Sequence, residues 1–170
     1  MNSPSWLANQ SLGTMSFQLP RSGYAPRAAF YEDNGYLRLL NQILQLELGS
    51  VELYRKCGSK LDVDQAETFA EEHRLQARAI NSMILSHRGI PSHNGFAFSS
   101  EISLLTTRIS RHFPEDFARR TTRASCLQVE KSLRRRYKQA LDAAPYRDRM
   151  QLTEHVQCIH QHISHLSLHS

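Results

Sequence analysis

Two carboxylates occupy positions where a helix needs hydrophobes. In LELGSVELY, residues 46–54, Glu47 falls in register with Leu37, Leu40, Leu44, Val51 and Tyr54, whose alternating three- and four-residue spacing marks the buried seam of an amphipathic helix. Glu130 stands in the same relation to Cys126, Leu133, Tyr137, Ala140 and Ala144. A tyrosine follows each glutamate one heptad later, Tyr54 after Glu47 and Tyr137 after Glu130, a weak internal repeat. A third seam carries His73 among Ala66, Ala70, Ala77, Ile80, Ile84 and His87. Inward carboxylates and imidazoles are ligands for Fe, Mn or Zn. A structural role is equally open, with each glutamate held by a tyrosine hydroxyl or an arginine and His73 a satisfied core histidine. Left unpaired, a buried carboxylate costs several kcal/mol.

These residues need elements to aim them, and the period is helical almost throughout from Asp33 onward. A first helix, with an N-cap at Asp33 or Asn34, runs to about Cys57, where GSKLD turns the chain. The second spans about Asp64 to Arg88 and is stopped by Gly89 and Pro91. After the loop GIPSHNGFAF, a short helix starts at Ser99 or Ser100 and reaches about His112. Pro114 opens the third long helix, which ends near Ala143 at the turn APYRD, and a last helix points Leu152, Val156, Ile159, Ile163 and Leu166 inward. No strand pattern competes. Two short turns and one long connection make two hairpins, the long stretch crossing the bundle between them. Measured from a turn near Leu61, Glu47 and His73 differ in height by roughly 3 Å; from a turn near Pro145, Glu130 differs from His155 by roughly 7 Å and from His162 by roughly 3 Å, so either histidine can reach it.

The chain of 170 residues, 40% hydrophobic and 22% charged, fits one helical domain at residues 32–170 and excludes collagen-like or wholly disordered classes. Residues 1–31, with Pro4, Gly13, Pro20, Gly23 and Pro26, form an extended or disordered arm whose Trp6, Leu7, Met15, Phe17, Tyr24, Phe30 and Tyr31 are apolar enough to dock on the body or on a neighbouring subunit. No apolar run approaches the roughly 20 residues that span a bilayer. An odd number of cysteines (Cys57, Cys126, Cys158), without a leader-like start, points to reduced thiols in a cytoplasm. Cys158 has no base that would make it a nucleophile. In the last helix His155, His160, His162, His165 and His169 cluster, with His160 and His165 off the seam. Lys and Arg outnumber Asp and Glu by 21 to 16. The outer faces of the third helix carry Arg119, Arg120, Arg123, Arg134, Arg135, Arg136 and Lys138, a stripe able to follow nucleic-acid phosphates without reading sequence, though such faces are usually solvated.

LNQILQLELGSVELY resembles the first helix of the ferritin-like superfamily and LQVEKSLRRRYKQAL its third. The closest likeness, over about residues 35–169, is to small bacterial ferritin-like bundles of unassigned function, in which a glycine-proline loop follows the second helix as RGIPSHNG does here. The resemblance implies an all-α, antiparallel four-helix bundle with one long crossover. It also implies a di-iron site built from one glutamate on each of two helices and a Glu-x-x-His on each of the others. Glu47 and Glu130 fall where it places the single carboxylates. The other half of the pattern is missing, because Arg74 and Leu75 stand three residues after Glu71 and Glu72, and Glu154 is followed by Gln157 and points away from the seam. What the resemblance implies is therefore an atypical or partly decayed site of Glu47, His73, Glu130 and one of His155 or His162, backed by Tyr54, Tyr137 and Glu72. Open coordination on such an ion would offer redox or oxygen chemistry that the sequence does not itself specify. The alternatives are a metal-free bundle serving assembly or stress-related binding, and the basic face; Leu75, pointing outward, suggests a homo-oligomer.

Overall fold

The computed structural model describes residues 35–92 and 114–168. The arm, the N-cap at Asp33 or Asn34, the short helix near 99–112 and His169 lie outside the described residues. Among those described there are four long helices and no strand: α1 (Gly35–Cys57), α2 (Val63–Ser86), α3 (Glu115–Ala143) and α4 (Tyr146–Leu168). No helix among them is long and apolar enough to cross a membrane.

Both short turns form where the sequence places them. Between α1 and α2 the chain makes a single 3-10 turn, Gly58–Lys60, and Asp62 then caps α2 by accepting the Gln65 N–H at 3.3 Å. Between α3 and α4 only Ala144 and Pro145 intervene, and the Asp148 N–H returns to the Pro145 carbonyl at 3.0 Å. Tyr146, expected in the turn, is instead the first residue of α4. Proline explains the difference, since its fixed φ and missing N–H suit the entry to a helix.

The end of α2 departs from expectation in an informative way. The Gly89 N–H reaches the Ile84 carbonyl at 2.8 Å and the Arg88 N–H the Leu85 carbonyl at 2.9 Å, the paired bonds of a Schellman stop. The left-handed residue is Arg88, at φ 58°, rather than Gly89. Gly89 meets a different need. A Cβ there would lie 2.8 Å from Leu37 Cδ2 and 2.9 Å from Ile84 Cγ2. Arg88→Gly is therefore expected to stabilise the protein by about 0.5–1 kcal/mol, read from urea unfolding, because a side chain at positive φ is strained. No gain would mean that the Arg88 side chain offsets that strain.

Helix α1 packs against both α2 and α3, α3 against α4, and α2 only lightly against α4. Tyr54 meets Glu130 and Glu47 meets Tyr137, so residue number falls along α1 as it rises along α3. The predicted seams are buried except at two half-exposed positions, His87 and Val156. Leu75, Glu71 and Glu154 are exposed, as their angular positions require. Burying each large side chain of the seam contributes about 1.5–3 kcal/mol, so apolar packing holds the helices around whatever polar groups lie among them.

Candidate metal centre

Each helix contributes one side chain to a cluster sealed from solvent: Glu47 from α1, His73 from α2, Glu130 from α3 and His162 from α4, with relative exposures of 0%, 0%, 0% and 1%. His73 bridges the carboxylates, its Nδ1 2.6 Å from Glu47 Oε2 and its Nε2 2.9 Å from Glu130 Oε1. The tyrosines cross over. Tyr137 donates to Glu47 Oε1 and Tyr54 to Glu130 Oε1, each at 2.6 Å. The heptad repeat of Glu and Tyr is thus reciprocal: each helix supplies a carboxylate and holds the carboxylate of the other. His162 turns Nδ1 toward Glu130 Oε1 at 3.3 Å and Nε2 toward Glu72 Oε2 at 2.5 Å. Phe69 stacks on the His162 ring with centroids 4.0 Å apart and covers it.

The electrostatics follow from crowding ionisable groups away from water. Burial disfavours the charged form of His73, but the Glu130 and Glu47 carboxylates outweigh it and hold the imidazolium to about 10. His162 is held to about 11, burial again being overcome, here by hydrogen bonds to Cys158 and Glu130, the Glu130 charge and Glu72. Glu130 goes the other way, to about 2, because the two imidazoliums more than offset its desolvation. Burial and the adjacent carboxylates push both tyrosines well above their usual range, so they remain phenols that donate.

One atom is left over. Glu130 Oε1 accepts from Tyr54 and faces His73 and His162, whereas Oε2 is buried with no hydrogen-bond partner among the described residues. A buried carboxylate oxygen without a partner calls for an explanation, an ion being one. One donor atom each from His73, Glu130 and His162 lie within 4.8 Å of one another, and so do donors from Glu72, Cys158 and His162. Two imidazoles and a carboxylate fit Fe, Mn or Zn.

Of the residues singled out in the sequence, Glu47, His73, Glu130, His162, Tyr54 and Tyr137 come together, and Glu72 touches His162 directly. His155 does not join them. Its ring lies against Tyr137 with centroids 5.6 Å apart, Nε2 has no hydrogen-bond partner among the described residues, and burial lowers its pKa to about 4. Arg134, Arg135 and Arg136 lie on the outer face of α3, where Arg135 reaches Ser132 and Arg136 reaches Gln139. Cys57, Cys126 and Cys158 are free thiols. Sequence reasoning missed Cys158 as a donor, although it stands four residues before His162 on one helix face and its Sγ lies 3.6 Å from Nε2. It also missed a second polar cluster, in which Asp148 Oδ2 accepts from Tyr36 at 2.8 Å and pairs with His87 Nε2 at 2.6 Å.

No family model, curated protein or solved structure matches the chain. Over the described residues, fold and site define a helical protein in which buried His73, Glu130 and His162, or His162 with the partly buried Glu72 and Cys158, could hold a metal ion.

Proposed function

We propose that the protein is a ferritin-like bundle of antiparallel helices, joined across its middle by the long connection, that holds one divalent ion of iron, manganese or zinc at His73, Glu130 and His162. The observation that carries this reading is the buried Glu130 Oε2, which has no hydrogen-bond partner among the described residues, on a carboxylate that lies against both His73 and His162. The donor set suits a single ion rather than two, since neither Glu-x-x-His is present. An ion there would supply Lewis acidity and, if iron or manganese, one-electron chemistry. The chain's own groups do the rest. Tyr54 fixes Glu130, Tyr137 fixes Glu47, Glu47 orients the His73 ring through Nδ1, and Phe69 keeps water from His162. Exposed Leu75 and Leu85 on α2, with Tyr146 and Met150 on α4, support self-association as part of the same reading, which a monomeric sedimentation profile at high protein concentration would remove.

A metal-free bundle is the second reading, and the way protonated His73 joins the two carboxylates favours it. Metal analysis of protein purified without an affinity tag decides between the two. Stoichiometric iron or manganese, lost in a Glu47→Ala, Glu130→Ala double variant, is expected. No bound metal after anaerobic reconstitution with each ion would establish the metal-free bundle.

A further inference from the structure

The structure assigns a second metal site at the rim of the cluster, formed by Glu72 on α2 with Cys158 and His162 on α4, for a thiolate-accepting divalent ion of the zinc class. His162 presents its two nitrogens to different surroundings, Nδ1 to buried Glu130 and Nε2 to Cys158 and Glu72. The outer set is chemically distinct because it includes sulfur, which favours zinc over magnesium, calcium or manganese. Its spacing fits that ion. Bonds of about 2.3 Å to sulfur and 2.0 Å to nitrogen, arranged tetrahedrally, require roughly 3.5 Å between the two donors. Cys158 Sγ and His162 Nε2 stand 3.6 Å apart, held there by one turn of helix. Glu72 Oε2, now hydrogen-bonded at 2.5 Å, must retreat by about 0.8 Å to complete the set. It is free to do so, with its side chain 39% exposed. Water would complete the tetrahedron, Glu72 and Cys158 being only partly buried. Binding exchanges the thiol proton and the proton on Nε2 for the ion and releases both to solvent. None of this depends on an ion at the inner donors, and the test keeps the two apart.

Cobalt(II), added anaerobically to the reduced full-length chain, is the probe. A thiolate-to-cobalt absorption band in the near ultraviolet is expected to saturate at one equivalent, to persist in Glu47→Gln, Glu130→Gln protein, and to vanish in Cys158→Ser. In Glu72→Gln it is expected to need at least about tenfold more cobalt. In the unaltered protein, zinc should compete the band away and slow alkylation of Cys158 by iodoacetamide at least about tenfold, read by mass spectrometry of the modified peptide. The assignment is overturned by a band that survives Cys158→Ser, by one that disappears with Glu47 and Glu130, or by alkylation that zinc leaves unchanged.

Discussion

Glu130→Ala is expected to cost about 3–5 kcal/mol, the usual penalty for removing one partner of a buried ion pair. For a chain of this size that is a fall in melting temperature on the order of 10 °C. The cost has identifiable parts. Glu130 Oε1 accepts the Tyr54 hydroxyl at 2.6 Å and lies 2.9 Å from His73 Nε2 and 3.3 Å from His162 Nδ1. Removing it leaves a buried phenol without an acceptor, about 1–3 kcal/mol by itself. Two imidazoliums then share what remains of the opposing charge. Glu130→Gln keeps the shape and an acceptor for Tyr54, so it should fall between the wild type and the alanine variant. Changes at exposed Arg135 or Arg136, which hydrogen-bond Ser132 and Gln139 on the surface of α3, should stay within about 0.5 kcal/mol. Thermal and urea melts check the series. A Glu130→Ala protein as stable as the wild type would mean that the cluster is neither charged nor paired as drawn. The large cost of breaking the set is no evidence that the set exists for stability. Replacing all four buried members by apolar residues of similar volume is often neutral or stabilising, so a network that the fold could do without is better explained by something it binds.

How much of this was legible depended on how local the determinant was. The helical period alone puts Glu47, His73 and Glu130 on inward faces, and a short turn near Leu61 fixes the relative height of α1 and α2, so the approach of Glu47 to His73 could be read directly. In the second hairpin the same reasoning left His155 and His162 both in reach. The choice of His162, nearer in height to Glu130, depends on lateral packing, because the His155 ring lies against Tyr137. Cys158 was invisible for a related reason, since a thiol on a helix flank acquires meaning only when Glu72 of α2 comes to lie beside its neighbour His162. Tyr36 and Asp148 are 112 residues apart, and no pattern within one helix announces their bond. At the end of α2, Gly89, read in the sequence as a stop together with Pro91, serves close approach to Leu37 and Ile84, and it is Arg88 that takes the left-handed conformation.

Proton occupancy sets the metal-free cluster and the ion against each other, and their pH dependences should separate them. His73, raised from 6.5 to about 10, contributes stability that is complete below pH 6.5 and lost as pH rises through 10; His162, raised to about 11, has the same sign. Glu130, lowered from 4.5 to about 2, contributes stability present above pH 4.5 and lost as pH falls through 2. His155 works oppositely to the other histidines. Its neutral form is preferred in the fold, so it costs stability as pH falls from 6.5 toward 4. Metal-free protein should therefore be most stable near pH 6.5 and weaken steadily above it. Ion binding has the reverse trend, because the ion must take the place of a proton on each of His73 and His162. While both imidazoles are protonated, apparent affinity should rise about 100-fold per pH unit, tenfold for each proton released. The gain in melting temperature caused by a fixed concentration of manganese should widen from pH 6.5 to 8.5, even as metal-free protein melts earlier. A gain that stays constant over that interval would show that the ion, wherever it binds, does not displace the protons of His73 and His162.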